Sequence, residues 1–363
     1  MSRILHVDTA RGWRGGQNQV LLTAQGMAAR GEDVALACRA GAELESRARA
    51  AGLAVRPVPF RGDLWPPAVA ALAAVLRAEK PEVVQLHDPH AVSAGLLASR
   101  LVGRTLATTR LVATRRVDFP LKGALSRAKY RACDRVIAVS EAIRKVLLRA
   151  RLPEERLRIV YEGVGDRAPE DGGRAALAEL GVPEAAPVVG NVAALTGHKD
   201  HATLLEAAAL VARSRPDVRF VVAGTGEKQA ELLDLRRRLG LEARVIFAGF
   251  RRDLDRLFPA FDVFCLTSRL EGLGTSLLDA MAFGRPIVAT AAGGIPEAVV
   301  DGITGRLVPV GDAGALASAL LEVIADPVRG REMGKAGRRL FLEHFTDARM
   351  VDGTLRVYAE LRT

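Results

Sequence analysis

Ile4-Leu-His-Val7, Arg11-Gly-Trp-Arg-Gly-Gly16 and Val34-Ala-Leu-Ala-Cys38 are an apolar run, a glycine-bearing loop and a second apolar run, with a helical period over 19–29 ending at Gly31 before the last. Short apolar runs bounded by turn residues read as buried strands, and glycine just past a helical period suits a helix end. The stretch is a strand–helix–strand unit. Working outward, strands are expected at 55–58, 83–86, 111–113 and 136–139, separated by helix-length stretches such as 68–78 and 122–132. A Pro/Gly/acidic segment, 163–173, with Pro169 and Gly172-Gly173, interrupts the pattern and reads as a linker. A second series follows, with strands at 188–192, 220–223, 245–247, 263–266 and 287–289 and helices over 201–212, 227–239 and 277–283. The end of the chain, 314–324 and then 331–361, is helical by its apolar spacing. Such alternation predicts an α/β protein with two doubly wound parallel-sheet domains. In open parallel sheets the ligand sits beyond the carboxyl ends of the strands, so two such domains facing each other are expected to leave a cleft there.

Length and composition agree. At roughly 100–200 residues per domain, 363 residues make two domains. Hydrophobic residues at 49% and charged residues at 26% are globular values. The longest uncharged apolar run, near 66–76, falls short of the roughly 18 residues of a membrane span. Asp8 interrupts the amino-terminal apolar stretch before an export signal can form, so the expected location is cytoplasmic. Cys38, Cys133 and Cys265 are scattered and odd in number, which points to buried small hydrophobes rather than disulfides or zinc. A net charge of +10 favours an anionic partner or is a plain arginine-rich bias. Aromatic residues, at 4%, are too few for base-stacking platforms, so no nucleic-acid partner is expected.

Several chemistries fail on spacing. Gly224-Thr-Gly226-Glu-Lys-Gln229 lacks the third glycine of a dinucleotide loop, Gly12, Gly15 and Gly16 stand in the wrong order for one, and no Walker loop is present. There is no H-E-x-x-H pair and no G-x-S-x-G elbow. Asp253-Leu-Asp255 matches a metal–diphosphate string, but Arg251, Arg252 and Arg256 surround it and it reads as a solvent-facing helix start. No metal is expected.

What remains is Ser268-Arg-Leu-Glu271-Gly-Leu-Gly-Thr-Ser-Leu-Leu-Asp279 and, after it, Gly293-Gly-Ile-Pro-Glu297. Gly272 and Gly274 let backbone approach a ligand closely, and a helix opening near Gly274 or Thr275 points amides at an anion. Eight helical residues turn through about 800°, which returns to within about 80° of the start, so Glu271 and Asp279 can face one ligand. Carboxylates grip vicinal sugar hydroxyls well. The competing reading makes Glu271 a helix cap and Asp279 a surface acid.

Together these residues resemble the donor-site signature of glycosyltransferase family 4. Asn191-Val-Ala-Ala-Leu-Thr-Gly-His-Lys199 is similar to the family's phosphate-binding segment, Ala223-Gly-Thr-Gly226 to its next glycine turn, and Phe247-Ala-Gly-Phe250 to its base-binding segment. Gly15-Gly16-Gln17, Ala138-Val-Ser140, Ile159-Val-Tyr-Glu-Gly163 and Gly302-Ile-Thr-Gly-Arg-Leu-Val-Pro309 extend the likeness over nearly the whole chain. The resemblance implies a GT-B fold of two Rossmann-like domains. An acceptor-side domain would span 1–164 with about 346–363 crossing back to it, and a donor-binding domain 165–345. It implies that Lys199 neutralises the donor diphosphate and that Glu271, with Gly272, Leu273 and Gly274, holds the transferred sugar. Asp279 would hold the ribose and Gly15-Gly16 would lie under the diphosphate. Gly224, Gly226, Gly249, Phe250, Arg251 and Thr275 would complete the donor site, and His198 is an acceptor or auxiliary candidate.

The chain departs from the pattern at several positions. The second acid is Asp279, not Glu. Ala194 stands where the family usually places an arginine, so another cation must substitute, and Arg14 is one donor of charge to weigh. Where relatives often carry histidine, this chain reads Thr114-Arg-Arg116-Val-Asp118, so Arg116 and Asp118 become acceptor-side candidates, with surface charge as the alternative. His87 ends a strand near them and is either an acceptor-site residue or a core or capping one.

The implied activity is retaining, metal-independent transfer from a nucleotide-diphosphate sugar, a co-substrate rather than a cofactor, to a glycan or lipid-linked acceptor. The biosynthetic setting would be envelope polysaccharide, lipopolysaccharide or glycolipid. Lys122, Arg127, Lys129, Arg131, Arg135, Arg144, Lys145, Arg149 and Arg151 form either a surface for anionic membrane, giving peripheral association at the inner face, or a solvated basic face. Sugar-nucleotide epimerases and phosphorolytic enzymes share the fold, and a catalytically degenerate nucleotide-binding protein is a third alternative.

Overall fold

The computed structural model describes residues 2–61, 65–103 and 108–362. It divides into two compact units, Met1–Gly163 with Asp347–Thr363, and Val164–Thr346. The first unit holds a seven-stranded sheet: β1 (Arg3–Asp8), β2 (Asp33–Arg39), β3 (Ala54–Val58), β4 (Val83–Leu86), β5 (Arg110–Arg115), β6 (Arg135–Ala138) and β7 (Leu157–Ile159). Their order is β3-β2-β1-β4-β5-β6-β7, parallel throughout. The second unit holds β8 (Val188–Val192), β9 (Arg219–Ala223), β10 (Val245–Gly249), β11 (Val263–Leu266), β12 (Ile287–Thr290) and β13 (Gly305–Val308). These six run parallel in the order β10-β9-β8-β11-β12-β13. Both sheets reverse their winding at a switch point, between β1 and β4 and between β8 and β11, where ligands of such folds bind.

Strands buried on both faces read as continuous apolar runs, which is why β1, β4, β8 and β11 stand out in the sequence. β7 and β13 do not, since three or four residues carrying Arg158 or Arg306 show neither an apolar run nor a period. The helical stretch expected over 331–361 is broken. One helix spans Pro327–His344, the next Asp347–Ala359, and Phe345 and Thr346 between them meet Val164, whose amide donates to the Phe345 carbonyl at 3.1 Å.

The last helix belongs to the first unit. Met350, Val351, Val357 and Tyr358 pack with Ile4, Ala24, Met27, Val83, Val112 and Ile137. A Cβ on Gly26 would lie 2.6 Å from Val351 Cγ2, so this glycine lets the helices Gly15–Ala28 and Asp347–Ala359 approach closely. The segment expected as a linker lies along the second unit: the Glu170 amide donates to the Asp255 carbonyl at 3.0 Å, and Arg256 donates to the carbonyls of Asp171 and Gly172. Cys38, Cys133 and Cys265 are buried and free, and burial pushes the first two thiols up to about 12.

Candidate functional site

In the second unit the chain leaves β8 through 193–196 and enters a short turn, Gly197–Lys199, then Asp200 at φ +50 and the helix His201–Ser214. The Thr267 hydroxyl, just past β11, donates to the Lys199 carbonyl at 3.0 Å, and the Arg269 amide donates to the His198 carbonyl at 2.8 Å. These bonds tie the two strand ends together at the switch point. They place the Lys199 ammonium on Glu271 Oε2, which also accepts from Ser268 Oγ at 2.9 Å. The two side chains are 17% and 12% exposed, so the pair is shielded yet reachable. Two groups 72 residues apart are thereby joined.

Gly274, at φ +96, turns the chain into the helix Thr275–Ala282, a conformation costly for any residue with a Cβ. Gly272 and Leu273 are buried under it, and Thr275 is half-buried at its start. Asp279 lies in this helix but is engaged elsewhere: its carboxylate pairs with Arg167, which also bridges to Asp255 at 2.5 Å. Burial, opposed by Arg167 and reinforced by Asp255, raises the Asp279 pKa to about 6. Arg167 carried no sequence signal, and Asp255, expected to face solvent, is a member of this network.

Gly224 and Gly226 lie close against the segment that follows β8. Cβ atoms there would sit 1.9 Å from the Ala193 carbonyl oxygen and 2.3 Å from that of Leu195, so the turn lies flush on 193–195. The Gly249 carbonyl accepts from the Gly224 amide at 2.7 Å, and Phe250 after it is 54% exposed, an uncovered apolar ring. Arg251 is held bidentately by Asp253 at 2.8 and 2.5 Å. His198 Nδ1 lies 3.1 Å from Thr196 Oγ1. Buried His201 bonds Asn191 Oδ1 at 3.1 Å, and burial followed by the Lys199 charge lowers its pKa to about 4, leaving it neutral.

The first unit has its own cluster at the ends of β1, β4 and β5. His87 is buried, with Nε2 2.8 Å from His6 Nδ1 and the rings stacked at 5.1 Å. Arg116 donates to the His87 carbonyl at 3.1 Å and reaches Glu162 at 3.0 Å, with side chains only 13% and 8% exposed. It is therefore a buried-pair residue and not surface charge. Burial, then the Arg116 guanidinium, holds His87 well below the usual histidine range and His6 at about 3. Asp88 caps the helix Pro89–Val102 and accepts from Thr9, while burial and the Asp88 charge push Asp8 up to about 6. Gly15 and Gly16 open the helix Gly15–Ala28 after exposed Arg14; a Cβ on Gly16 would lie 3.9 Å from Arg116 Cδ. Asp118 is half-buried after β5. Sequence spacing does not mark His6, Asp8 or Glu162 as members of this cluster, although Asp8 closes the first apolar run and Glu162 lies within a stretch resembling the family.

Residues 174–340 match the glycosyl transferases group 1 family model and 13–166 match the glycosyltransferase family 4 model. D-inositol 3-phosphate glycosyltransferase of Mycobacterium bovis is 34% identical over 90% of this chain and 75% of its own. The lipopolysaccharide core biosynthesis glycosyltransferase LpsE of Rhizobium meliloti is 32% identical over 50% of this chain, which spans about half, 52%, of that relative's length. Among solved structures, Anabaena HepE in complex with UDP and glucose superposes with a TM-score of 0.88 at 23% identity, covering 99% of this chain and all of the other, so the fold is GT-B. With the parallel sheets, the switch-point pair Lys199–Glu271 and this likeness along both halves, the chain belongs to glycosyltransferase family 4.

Proposed function

We propose that the protein moves a sugar from a nucleoside-diphosphate sugar to an acceptor hydroxyl with retention at the anomeric carbon and without a metal ion. The observation that carries this is the Lys199–Glu271 pair beside the glycine-opened helix Thr275–Ala282. Without substrate the ammonium rests on the carboxylate. An arriving diphosphate draws Lys199 to itself and frees Glu271 Oε2 to accept hydrogen bonds from sugar hydroxyls, so one exchange fills both roles. As the anomeric C–O bond to phosphate breaks, negative charge grows on the leaving oxygen, and Lys199 with the helix amides offsets it. The acceptor oxygen attacks from the same face, and its proton passes to the departing phosphate. No protein base is then required.

Asp279, released from Arg167, holds the ribose, and exposed Phe250 offers a face to the base. The first unit's cluster takes the acceptor, with Arg116 and Asp118 at its edge. UDP in the HepE complex makes UDP-sugars the first donors to test. The LpsE likeness supports an acceptor of the envelope-glycan class. A cavity of about 400 Å³ lined by Arg127, Arg131, Arg149 and Arg151 supports peripheral docking on anionic lipid from the cytoplasmic side. Among the described residues no helix is long and apolar enough to cross a membrane. The test is a transfer assay with UDP-glucose and related donors, with and without EDTA, reading the product linkage by NMR. An α-linked product from an α-linked donor, insensitive to chelation, is expected. Inversion, a requirement for metal, or a new sugar-nucleotide isomer without acceptor would overturn the respective part. Protein remaining in the supernatant with anionic vesicles would remove the membrane surface.

A further inference from the structure

We propose, resting on the donor reading above, that Lys228 supplies the second positive charge on the donor diphosphate, replacing the arginine displaced by Ala194. The geometry begins with the close approach of two backbones. Gly224 and Gly226 have no room for a Cβ against the Ala193 and Leu195 carbonyls, so the glycine turn is pressed onto the strand end that carries Ala194. Reciprocal hydrogen bonds fix it there: the Leu195 amide donates to the Thr225 carbonyl at 3.1 Å, and the Lys228 amide donates to the Leu195 carbonyl at 2.9 Å. Lys228 is thus anchored one residue from Ala194. Its side chain reaches the turn Gly197–Lys199 at Gly197, with Cε 3.9 Å from where a Cβ on Gly197 would stand. Gly197 itself is exposed, so no side chain separates the two lysine-bearing turns at that point.

The neighbouring cations are committed more firmly. Arg251 is held bidentately by Asp253, and Arg269 pairs at 2.8 Å with Asp200, whose side chain is 6% exposed. The Lys228 ammonium rests at 2.6 Å on Glu231, an i,i+3 partner on the helix Gln229–Arg238 that is 63% exposed. Solvent-exposed pairs of this spacing contribute little and are readily exchanged. A phosphate, with more charge and several acceptor oxygens, is the stronger partner for an exposed ammonium. Arg14 belongs to the first unit, whereas Lys228 is carried by the same unit as Ala194 and Lys199.

The experiment is calorimetric titration of UDP, GDP, ADP and the free nucleosides into wild type, Lys228→Ala, Ala194→Arg and the double variant Lys228→Ala/Ala194→Arg, each checked by thermal melting. Lys228→Ala should weaken the favoured nucleoside diphosphate about tenfold, flatten its salt dependence and leave the nucleoside unchanged, as expected for one charge-assisted phosphate contact. Ala194→Arg should restore affinity in the double variant. Wild-type affinity in Lys228→Ala, an equal loss for the nucleoside, or failure of the rescue would overturn the assignment. A wild type that binds none of the three diphosphates would overturn the donor reading itself, and this assignment with it.

Discussion

Asp279→Asn should change how stability depends on pH. Asp279 has its pKa raised from 3.8 to about 6, chiefly by burial. A raised carboxyl pKa means that between these values the native state binds more proton than the unfolded chain. The contribution is therefore full below the unfolded pKa and is lost as pH rises through about 6. About two units at about 1.4 kcal/mol each give about 3 kcal/mol of stability lost between about pH 3.5 and 7. Asparagine does not titrate, so the variant lacks this loss, while Asp8, also raised to about 6, titrates in both proteins and cancels in the difference. Urea unfolding at half-unit pH steps, followed by a probe in the second unit, gives the difference in unfolding free energy between wild type and variant. That difference should shift by about 3 kcal/mol against the wild type as pH rises. A difference flat to within about 0.5 kcal/mol across the range would refute the picture of a carboxyl whose burial outweighs its Arg167 partner.

Other perturbations probe each unit separately. Arg116→Ala leaves the Glu162 carboxylate, 8% exposed, without its guanidinium, and should cost the first unit about 3 kcal/mol in denaturant unfolding, whereas the truncation of an exposed pair would cost under about 1 kcal/mol. Gly224→Ala must place a Cβ 1.9 Å from a backbone oxygen at φ +148, so the second unit should lose at least about 3 kcal/mol and nucleotide binding with it; an alanine variant with wild-type melting would contradict the flush turn. Glu271→Gln keeps shape but removes the charge that holds Lys199, so turnover should fall about 100-fold while nucleoside-diphosphate affinity is kept or raised, a split read by steady-state kinetics beside calorimetry.

The parallel sheets were legible because their central strands are apolar on both faces and their turns are marked by glycine. The short edge strands β7 and β13 were not, because an edge strand of three or four residues tolerates arginine and leaves no period. Glu271 could be named from spacing and resemblance, and Lys199 from the resemblance alone. That they touch could not, since the contact arises from bonds between the ends of β8 and β11. The same limit hid Arg167, which lies in a segment with linker composition yet spans Asp255 and Asp279. Arg116 could be read from sequence either as an acceptor-side residue or as surface charge, and the bonds to His87 and Glu162, two partners contributed by distant loops, draw it inward.

In the proposed reaction Lys199 leaves Glu271 for the donor's phosphates. Calorimetric titration of UDP, GDP and ADP, without added metal, into wild type and Lys199→Ala tests it most directly. One diphosphate should bind the wild type clearly better than the other two, and the variant should lose that binding by about 100-fold, while the corresponding nucleoside is held equally by both. Equal diphosphate affinity in wild type and variant, or no binding to either, would contradict it.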